Sequence, residues 1–301
     1  VKPGAANCLA VRVLNPGKMF PDTSLPFAFK DQAAWVRTDD ALCAVEKRMA
    51  EDVKQAFVGN RALTPLGGGS LADAGNLPAR PATSLRTNAL DRIIELDAPN
   101  QYFTSGAGIT LAAVQETLAP HNQWLPLRPA LGLLRRTIGG IAATGAFGPE
   151  RLAYGAPREL LLGLRFIDGR GRLINAGGKV VKNVAGYDMT RLVAGSAGTL
   201  GLITRVTMKT ATRPERCALV SACGVPEACG SLAAQLLGSS IGAVFAAAAP
   251  DDGGEIWRMY VGFEGFGEAV AAQLDRAEAL FEKTDFRSVR VEDYDVLTGP
   301  F

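Results

Sequence analysis

The distribution of glycine constrains this sequence more than any other feature. The chain of 301 residues has 34 glycines, many of them in three clusters: 64–70 (TPLGGGS), 137–148 (TIGGIAATGAFG) and 195–203 (GSAGTLGLI). Because glycine has no Cβ, it permits tight turns and the close approach of other groups. Such a loop can aim consecutive N–H groups at one point, which forms a concavity that binds phosphate. No charged side chain lies within 137–148, so a buried loop there would need another partner for its backbone donors.

Each cluster alone remains ambiguous. The first is equally compatible with a flexible turn. For the second, a loop packed tightly under a helix is the alternative to a ligand-binding loop. The first cluster is not a Walker loop, because no Gly-Lys-Ser/Thr follows it at the required spacing. The usual dinucleotide fingerprint is also absent from the sequence: Gly106 and Gly108 come nearest to it, but the third glycine is missing.

The overall composition is that of an ordinary globular protein. Apolar residues make up 48% of the chain, charged residues 21%, and the net charge is +2. This balance gives no reason to expect a nucleic acid or a membrane surface as a partner. The longest apolar run, 241–250, is too short to cross a bilayer, and no signal-peptide pattern is visible. We therefore expect a cytoplasmic protein without an integral membrane segment.

The cysteines and the single histidine narrow the possible chemistry. The cysteines form no CxxC pair, which predicts reduced thiols and no metal site; they are Cys8, Cys43, Cys217, Cys223 and Cys229. The only histidine is His121, so a Ser-His-Asp triad or a zinc site would have to be built on that residue. It follows a predicted helix, and we expect it at a helix end or in a surface loop.

Hydrophobic periodicity and turn signals predict an α+β chain. Residues 1–37 are broken by prolines and are predicted to be irregular. A helix capped by Thr38 or Asp39 follows, and Glu46 is placed on the side that faces away from its apolar stripe. Residues 126–155 are predicted to form a glycine-rich loop region.

A second part of the chain begins after Arg213 and Pro214. The remaining pattern predicts the order βαββαβ, a ferredoxin-like unit in which two helices cover one face of a sheet. The expected strands and helices lie at 217–222, 227–237, 241–248, 255–263, 266–283 and 287–292, with a turn at 250–254.

The motifs follow one another in an order that identifies a family. After the Gly-Gly-Gly loop come Thr137-Ile-Gly-Gly140, Tyr154-Gly155, the run GGKVVKNVAGYD at 177–188, and Gly198-Thr-Leu-Gly201. This order resembles the FAD-binding domain of the vanillyl-alcohol-oxidase (PCMH) flavoprotein superfamily. The run 178–188 most resembles the FAD-binding subunit of glycolate oxidase and the related 2-hydroxyacid dehydrogenases.

The resemblance implies a fold and a set of cofactor contacts. The expected fold is a PCMH-type FAD-binding domain of two α+β subdomains over 1–212, with 1–37 as a lead-in, followed by a ferredoxin-like cap over 213–301 that would be partial. The implied FAD-binding residues are Leu66, Gly67, Gly68, Gly69, Ser70, Thr137, Gly139, Gly140, Thr144, Gly145, Gly148, Tyr154, Gly198, Gly201 and Ile203.

The sequence departs from the family pattern in ways that bear on chemistry. Many relatives have arginine where Leu66 stands, so one cationic phosphate contact is expected to be missing. No histidine or cysteine lies near Gly67 or Thr137, which predicts that FAD is held non-covalently. The histidines that related dehydrogenases often carry in the second domain are absent, so the catalytic base is unknown. The nearest polar candidates are Lys179, Lys182 and Tyr187, for which a structural role is the more common interpretation.

The implied activity is oxidation of a 2-hydroxyacid, with glycolate to glyoxylate as the best match. The first hypothesis is an FAD-binding subunit that works with a homologous flavin subunit and an iron–sulfur subunit. Such a complex would lie in the cytoplasm or at the periphery of the inner membrane. The second is a self-sufficient FAD-linked dehydrogenase of another hydroxyacid. The third is a flavin-fold scaffold that no longer turns over.

Overall fold

The computed structural model describes residues 36–72, 81–129, 135–178, 187–250, 255–284, 286 and 288–295. Most of the predicted irregular lead-in, most of the predicted turn at 250–254, and both Lys179 and Lys182 lie outside the described residues. None of the described helices is long and apolar enough to cross a membrane.

Helices and strands alternate along the chain. In order they are α1 (Val36–Val58), β1 (Ala62–Leu66), β2 (Ala82–Arg86), β3 (Ile93–Asp97), β4 (Tyr102–Gly106), α2 (Leu111–Leu118), a 3-10 turn (Ala119–His121), β5 (Gln123–Trp124), α3 (Ile138–Thr144), α4 (Arg151–Tyr154), α5 (Pro157–Leu160), β6 (Leu161–Ile167), β7 (Leu173–Gly177), α6 (Met189–Val193), β8 (Leu202–Lys209), β9 (Ala211–Thr212), β10 (Arg216–Gly224), α7 (Pro226–Leu237), β11 (Phe245–Pro250), β12 (Trp257–Gly265), α8 (Gly267–Phe281) and β13 (Ser288–Asp293).

The chain divides into two compact units that interleave in sequence. The first contains 1–117, 131–146 and 157–210, and the second contains 118–130, 147–156 and 211–301. The second unit therefore includes two segments that precede the expected boundary at 212. The functional division at that boundary remains a prediction.

The first unit is built on an antiparallel sheet of five strands in the order β3-β4-β8-β6-β7. A parallel pair, β1-β2, accompanies it. Helix α1 buries the side chains of Leu42, Met49 and Val53 in a core cluster that also holds Leu63 and Ile167, as its 3.6-residue periodicity predicts. The helix begins at Val36, so the expectation of a cap at Thr38 or Asp39 is wrong by about one turn.

Glu46 corrects a second expectation about α1. Its side chain is buried rather than facing away, and its carboxylate accepts hydrogen bonds from Arg165, Arg205 and Thr204 at 2.7–2.9 Å. The two arginines belong to β6 and β8. The sequence pattern placed the Glu46 carboxylate in solvent, but it forms ion pairs with arginines of the sheet instead.

The second unit contains the βαββαβ order that the sequence predicts. Its four strands pair antiparallel in the order β11-β12-β10-β13. Helices α7 and α8 contribute Leu232, Val270 and Phe281 to a core that includes Val220 and Val261 of the sheet. Strand β11 begins at Phe245, later than expected, after Gly242 has turned the chain at a φ of +73°.

The glycine-rich region at 126–155 is not the continuous loop that the sequence predicts. It contains α3, a helix of 7 residues, and the short α4. Thr137 caps α3, because its Oγ1 accepts the N–H of Gly140 at 3.2 Å. A Cβ on Gly139 would lie 2.5 Å from the Cβ of Ala107, so the glycine permits close packing of a helix despite its low helix propensity.

Candidate functional site

A cavity of about 430 Å³ lies within the first unit, a size typical of small-molecule sites. The three glycine clusters all contribute to its wall, although the first and the third begin at residues 64 and 195. Twelve of the fifteen residues predicted to bind FAD line the cavity: Leu66, Gly67, Gly68, Gly69, Ser70, Thr137, Gly139, Gly140, Thr144, Gly198, Gly201 and Ile203.

The first cluster forms an open loop directly after β1. Within the described part of the chain, the N–H groups of Gly67, Gly68, Gly69 and Ser70 donate no hydrogen bonds. A Cβ on Gly67 would lie 2.3 Å from Oγ1 of Thr137, and one on Gly68 only 1.5 Å from the carbonyl oxygen of Arg135. Gly69 has a φ of +71°. The loop therefore requires glycine, and it leaves four amide donors at the cavity for an anionic ligand.

The second cluster contributes differently from the loop that the sequence suggests. The first N–H groups of α3 are already bonded: Ile138 donates to the carbonyl of Ile109 at 2.9 Å, Gly139 to that of Ala107 at 2.8 Å, and Gly140 to Thr137. The start of this helix thus shapes the cavity wall, whereas the unused amide donors belong to 67–70.

The third cluster is tied to the end of α3. The N–H groups of Gly195 and Ala197 donate to the carbonyls of Ala142 and Ala143 at 2.9 and 2.6 Å. Gly198 has a φ of +77°, and a Cβ on Gly201 would lie 2.7 Å from the carbonyl oxygen of Ile167. These contacts bring residues of the third cluster to the cavity beside the second.

Gly145, Gly148 and Tyr154 are not among the cavity-lining residues. Gly145 ends α3 in the left-handed conformation, with a φ of +66°, and donates its N–H to Ile141 at 2.8 Å. Gly148 lies in the second unit, where its N–H donates to Glu150 at 3.2 Å. A direct cofactor contact by these residues remains a prediction.

Tyr154 belongs to a buried polar cluster of the second unit. The carboxylate of Glu264 accepts the hydroxyls of Tyr154 at 3.0 Å and Tyr294 at 2.5 Å, and it pairs with Arg128 at 2.7 Å. The ring of Tyr154 packs edge-on against Trp124. Burial, together with the negative charge of Glu264, raises the pKa of Tyr154 well above its ordinary value.

Sequence reasoning missed four polar residues of the cavity wall, which are Thr64, Ser84, Thr87 and Arg136. Thr64 and Arg136 are the two with buried polar atoms that lack a partner. Both side chains are more than nine-tenths buried, and Oγ1 of Thr64 and Nε of Arg136 have no hydrogen-bond partner within the described residues. Burial lowers the pKa of the Arg136 guanidinium. The sequence contained one indication of a role for Arg136, because it directly precedes the second cluster, which has no charged residue.

Other candidates for chemistry are not among the described residues that line this cavity. His121 is exposed in the 3-10 turn, and Tyr187 is 92% exposed. The described cysteines are free thiols: Cys43, Cys217, Cys223 and Cys229. Across the described residues, no group of three or more His, Cys, Asp or Glu side chains could hold a metal ion.

Comparison with known families bears directly on the cavity, since residues 41–177 match the family model described as "FAD binding domain". This part of the chain is an FAD-binding domain of the PCMH type. The matched range includes the first two glycine clusters and most of the cavity wall. The predicted family, the fold class and FAD as the cofactor are therefore confirmed, and the non-covalent attachment of FAD remains a prediction.

The chain is similar to proteins named as glycolate oxidase subunits and as a D-lactate dehydrogenase. Glycolate oxidase subunit GlcE of Escherichia coli K12 is 36% identical over 174 residues, which is 57% of this chain and 49% of that protein. D-lactate dehydrogenase of Archaeoglobus fulgidus is 37% identical over 143 residues, covering 48% and 32%. Glycolate oxidase subunit GlcD of Bacillus subtilis is 32% identical over 153 residues, covering 51% and 32%. The chain thus spans at most about half the length of these relatives.

A solved structure of alkyldihydroxyacetonephosphate synthase shares the fold. Its TM-score is 0.66 at 17% identity, covering 82% of this chain and 50% of that one. At this identity the similarity extends to the fold alone.

Proposed function

We propose that this chain holds FAD non-covalently in the cavity of its first unit. We further propose that it acts as the FAD-binding subunit of a glycolate oxidase-like complex that oxidises glycolate to glyoxylate. The observation that carries the proposal is the set of four unused amide donors at 67–70, which belong to residues that line a cavity in the part of the chain matched to an FAD-binding domain. Oriented N–H dipoles can stabilise a diphosphate without a metal ion.

The residues of the cavity suit FAD in further respects. Buried Thr64 and Arg136 offer a hydroxyl and a cation that the described protein leaves unused, and the rest of the wall is largely glycine and aliphatic. A bound flavin would supply a hydride acceptor for oxidation at the α-carbon of a 2-hydroxyacid. None of the described residues that line the cavity is a histidine or a cysteine, which supports non-covalent binding.

The position of the single histidine supports the role of a subunit. The sequence has one histidine, His121, and it lies exposed in the 3-10 turn. A general base must come within hydrogen-bond reach of the hydroxyl proton that it removes. We therefore propose that a homologous flavin subunit completes the reaction, and that an iron–sulfur subunit accepts the electrons. The similarity to GlcE is consistent with both.

A self-sufficient dehydrogenase is the second candidate, favoured by the similarity to the D-lactate dehydrogenase of Archaeoglobus fulgidus. Assays of the purified chain separate the candidates. The subunit role predicts yellow protein whose flavin is released into solution by acid, without turnover of glycolate or D-lactate with a dye acceptor. Turnover by the chain alone would establish the second candidate. Colourless protein that takes up no added FAD would contradict both and leave a scaffold, and flavin retained in the acid pellet would disprove non-covalent binding.

A further inference from the structure

Arg136 is a buried cation, and the described residues include no acidic group recorded as its partner. Only 5% of the residue is exposed, and its Nε is buried without a hydrogen-bond partner in the part of the chain that the structure describes. Desolvation is the one effect that displaces the pKa of this guanidinium. Other buried arginines differ, since Arg205 and Arg128 each pair with a carboxylate, Glu46 or Glu264, at 2.7 Å.

A lone buried charge is costly, so proteins normally pair it or bind a counter-ion beside it. Arg136 lines the cavity, where a ligand could take that role. The sequence predicted that a cationic contact to phosphate would be missing, because leucine occupies position 66, where many relatives have arginine. In the structure, Arg136, which lies just before α3, brings a cation to the cavity instead.

The backbone around Arg136 indicates which part of a ligand it would meet. Its two neighbours are the residues that press against the open loop: the carbonyl of Arg135 lies against Gly68, and Oγ1 of Thr137 lies against Gly67. The loop 67–70, which carries the unused amide donors, therefore lies beside the segment 135–137. A group that accepts hydrogen bonds from those amides and also needs a positive charge is a phosphate or diphosphate.

From this juxtaposition we infer that Arg136 is the counter-charge for the diphosphate of the bound dinucleotide. This inference rests on the proposed binding of FAD in the cavity. It assigns Arg136 a role in positioning the cofactor and recognising its phosphates, without a part in the chemical step. The flavin ring has no comparable anionic group, so the contact should distinguish FAD from riboflavin.

The test compares Arg136→Met with Arg135→Met, which removes an exposed arginine one position earlier. Dissociation constants for FAD and for riboflavin are measured on the full chain, freed of flavin, by isothermal titration calorimetry. Arg136→Met should weaken FAD binding at least tenfold and leave riboflavin binding within about twofold. Arg135→Met should change neither by more than about threefold, and Arg136→Lys should restore part of the FAD affinity.

Thermal unfolding of the flavin-free proteins supplies a second readout. Because Arg136→Met removes a buried unpaired charge, the flavin-free variant should unfold at a temperature equal to or higher than wild type. A purely structural arginine would instead give a lower unfolding temperature and equal losses of FAD and riboflavin affinity, and that result would overturn the inference. Unchanged FAD affinity in Arg136→Met would overturn it as well. If the wild type bound no FAD, the proposed function itself would fail.

Discussion

At the scale of single residues, the site depends on positions where no side chain fits. Gly68 is the extreme case, because a Cβ there would lie 1.5 Å from the carbonyl oxygen of Arg135. Contacts that short cannot be relieved by rotating a side chain, so the backbone of the loop or of its neighbour must move. The amide donors of 67–70 would lose their arrangement together with that contact.

Gly68→Ala is therefore expected to lower FAD affinity at least tenfold and to destabilise the protein by about 1–3 kcal/mol. Gly230→Ala is the matched control, since no atom lies within 4 Å of the added Cβ in helix α7. That change should leave FAD affinity unaltered and stabilise the chain by about 0.5–1 kcal/mol. Calorimetric titration and urea unfolding measure the two quantities, and equal behaviour of the variants would contradict the steric account.

Glu46 gives a second prediction at this scale. Its buried carboxylate pairs with Arg165 and Arg205, so Glu46→Ala should cost about 3–5 kcal/mol of unfolding free energy. Glu51→Ala on the same helix removes an exposed glutamate that lies 3.8 Å from Lys54, and it should cost less than about 1 kcal/mol. Urea unfolding of both variants tests this contrast, which a similar cost for each would refute.

At the scale of elements, helix α3 joins the glycine clusters through its two ends. Thr137 caps its start and touches the open loop. In its last turn, just before Gly145 ends the helix in the left-handed conformation, the carbonyls of 142–143 accept the N–H groups of Gly195 and Ala197. A short helix in the middle of the site thus fixes the positions of two loops. Its stability should matter more to FAD affinity than that of other short helices.

Thr137→Ala should cost about 1 kcal/mol through loss of the cap and should also weaken FAD binding, whereas Thr137→Ser should retain both properties. The control is Asp188→Ala, which removes the cap of α6, where Asp188 accepts the N–H of Arg191 at 2.9 Å. It should lower stability to a similar extent without changing FAD affinity. Equal losses of FAD affinity in the two capping variants would count against a special role for α3.

At the scale of the whole molecule, the architecture could be predicted from the sequence more accurately than the contacts within the site. The βαββαβ unit follows from alternation and turn residues, and the order of the motifs predicted which clusters share a cavity. Helix α3 was missed because glycine opposes helix formation, and tertiary packing against Ala107 overrides that preference. Glu46 and Arg136 were missed because burial of a charge depends on neighbours distant in sequence.

Binding in the first unit should stabilise the folded chain by linkage. With free FAD at 100 times its dissociation constant, the gain is about 2.7 kcal/mol. Thermal unfolding followed at increasing FAD concentrations should therefore shift steadily upward in wild type and much less in Gly68→Ala. A shift of the same size in both proteins would indicate binding elsewhere.

Hydrogen–deuterium exchange of the flavin-free chain, with and without FAD, tests the central claim most directly. The amides at 67–70 donate to nothing in the described structure, whereas those of Ile138 and Gly139 are already bonded. We predict that FAD slows exchange in peptides that cover 67–70, with a smaller change over 138–139. Unchanged exchange at 67–70 under saturating FAD would show that the diphosphate is not held by these amides.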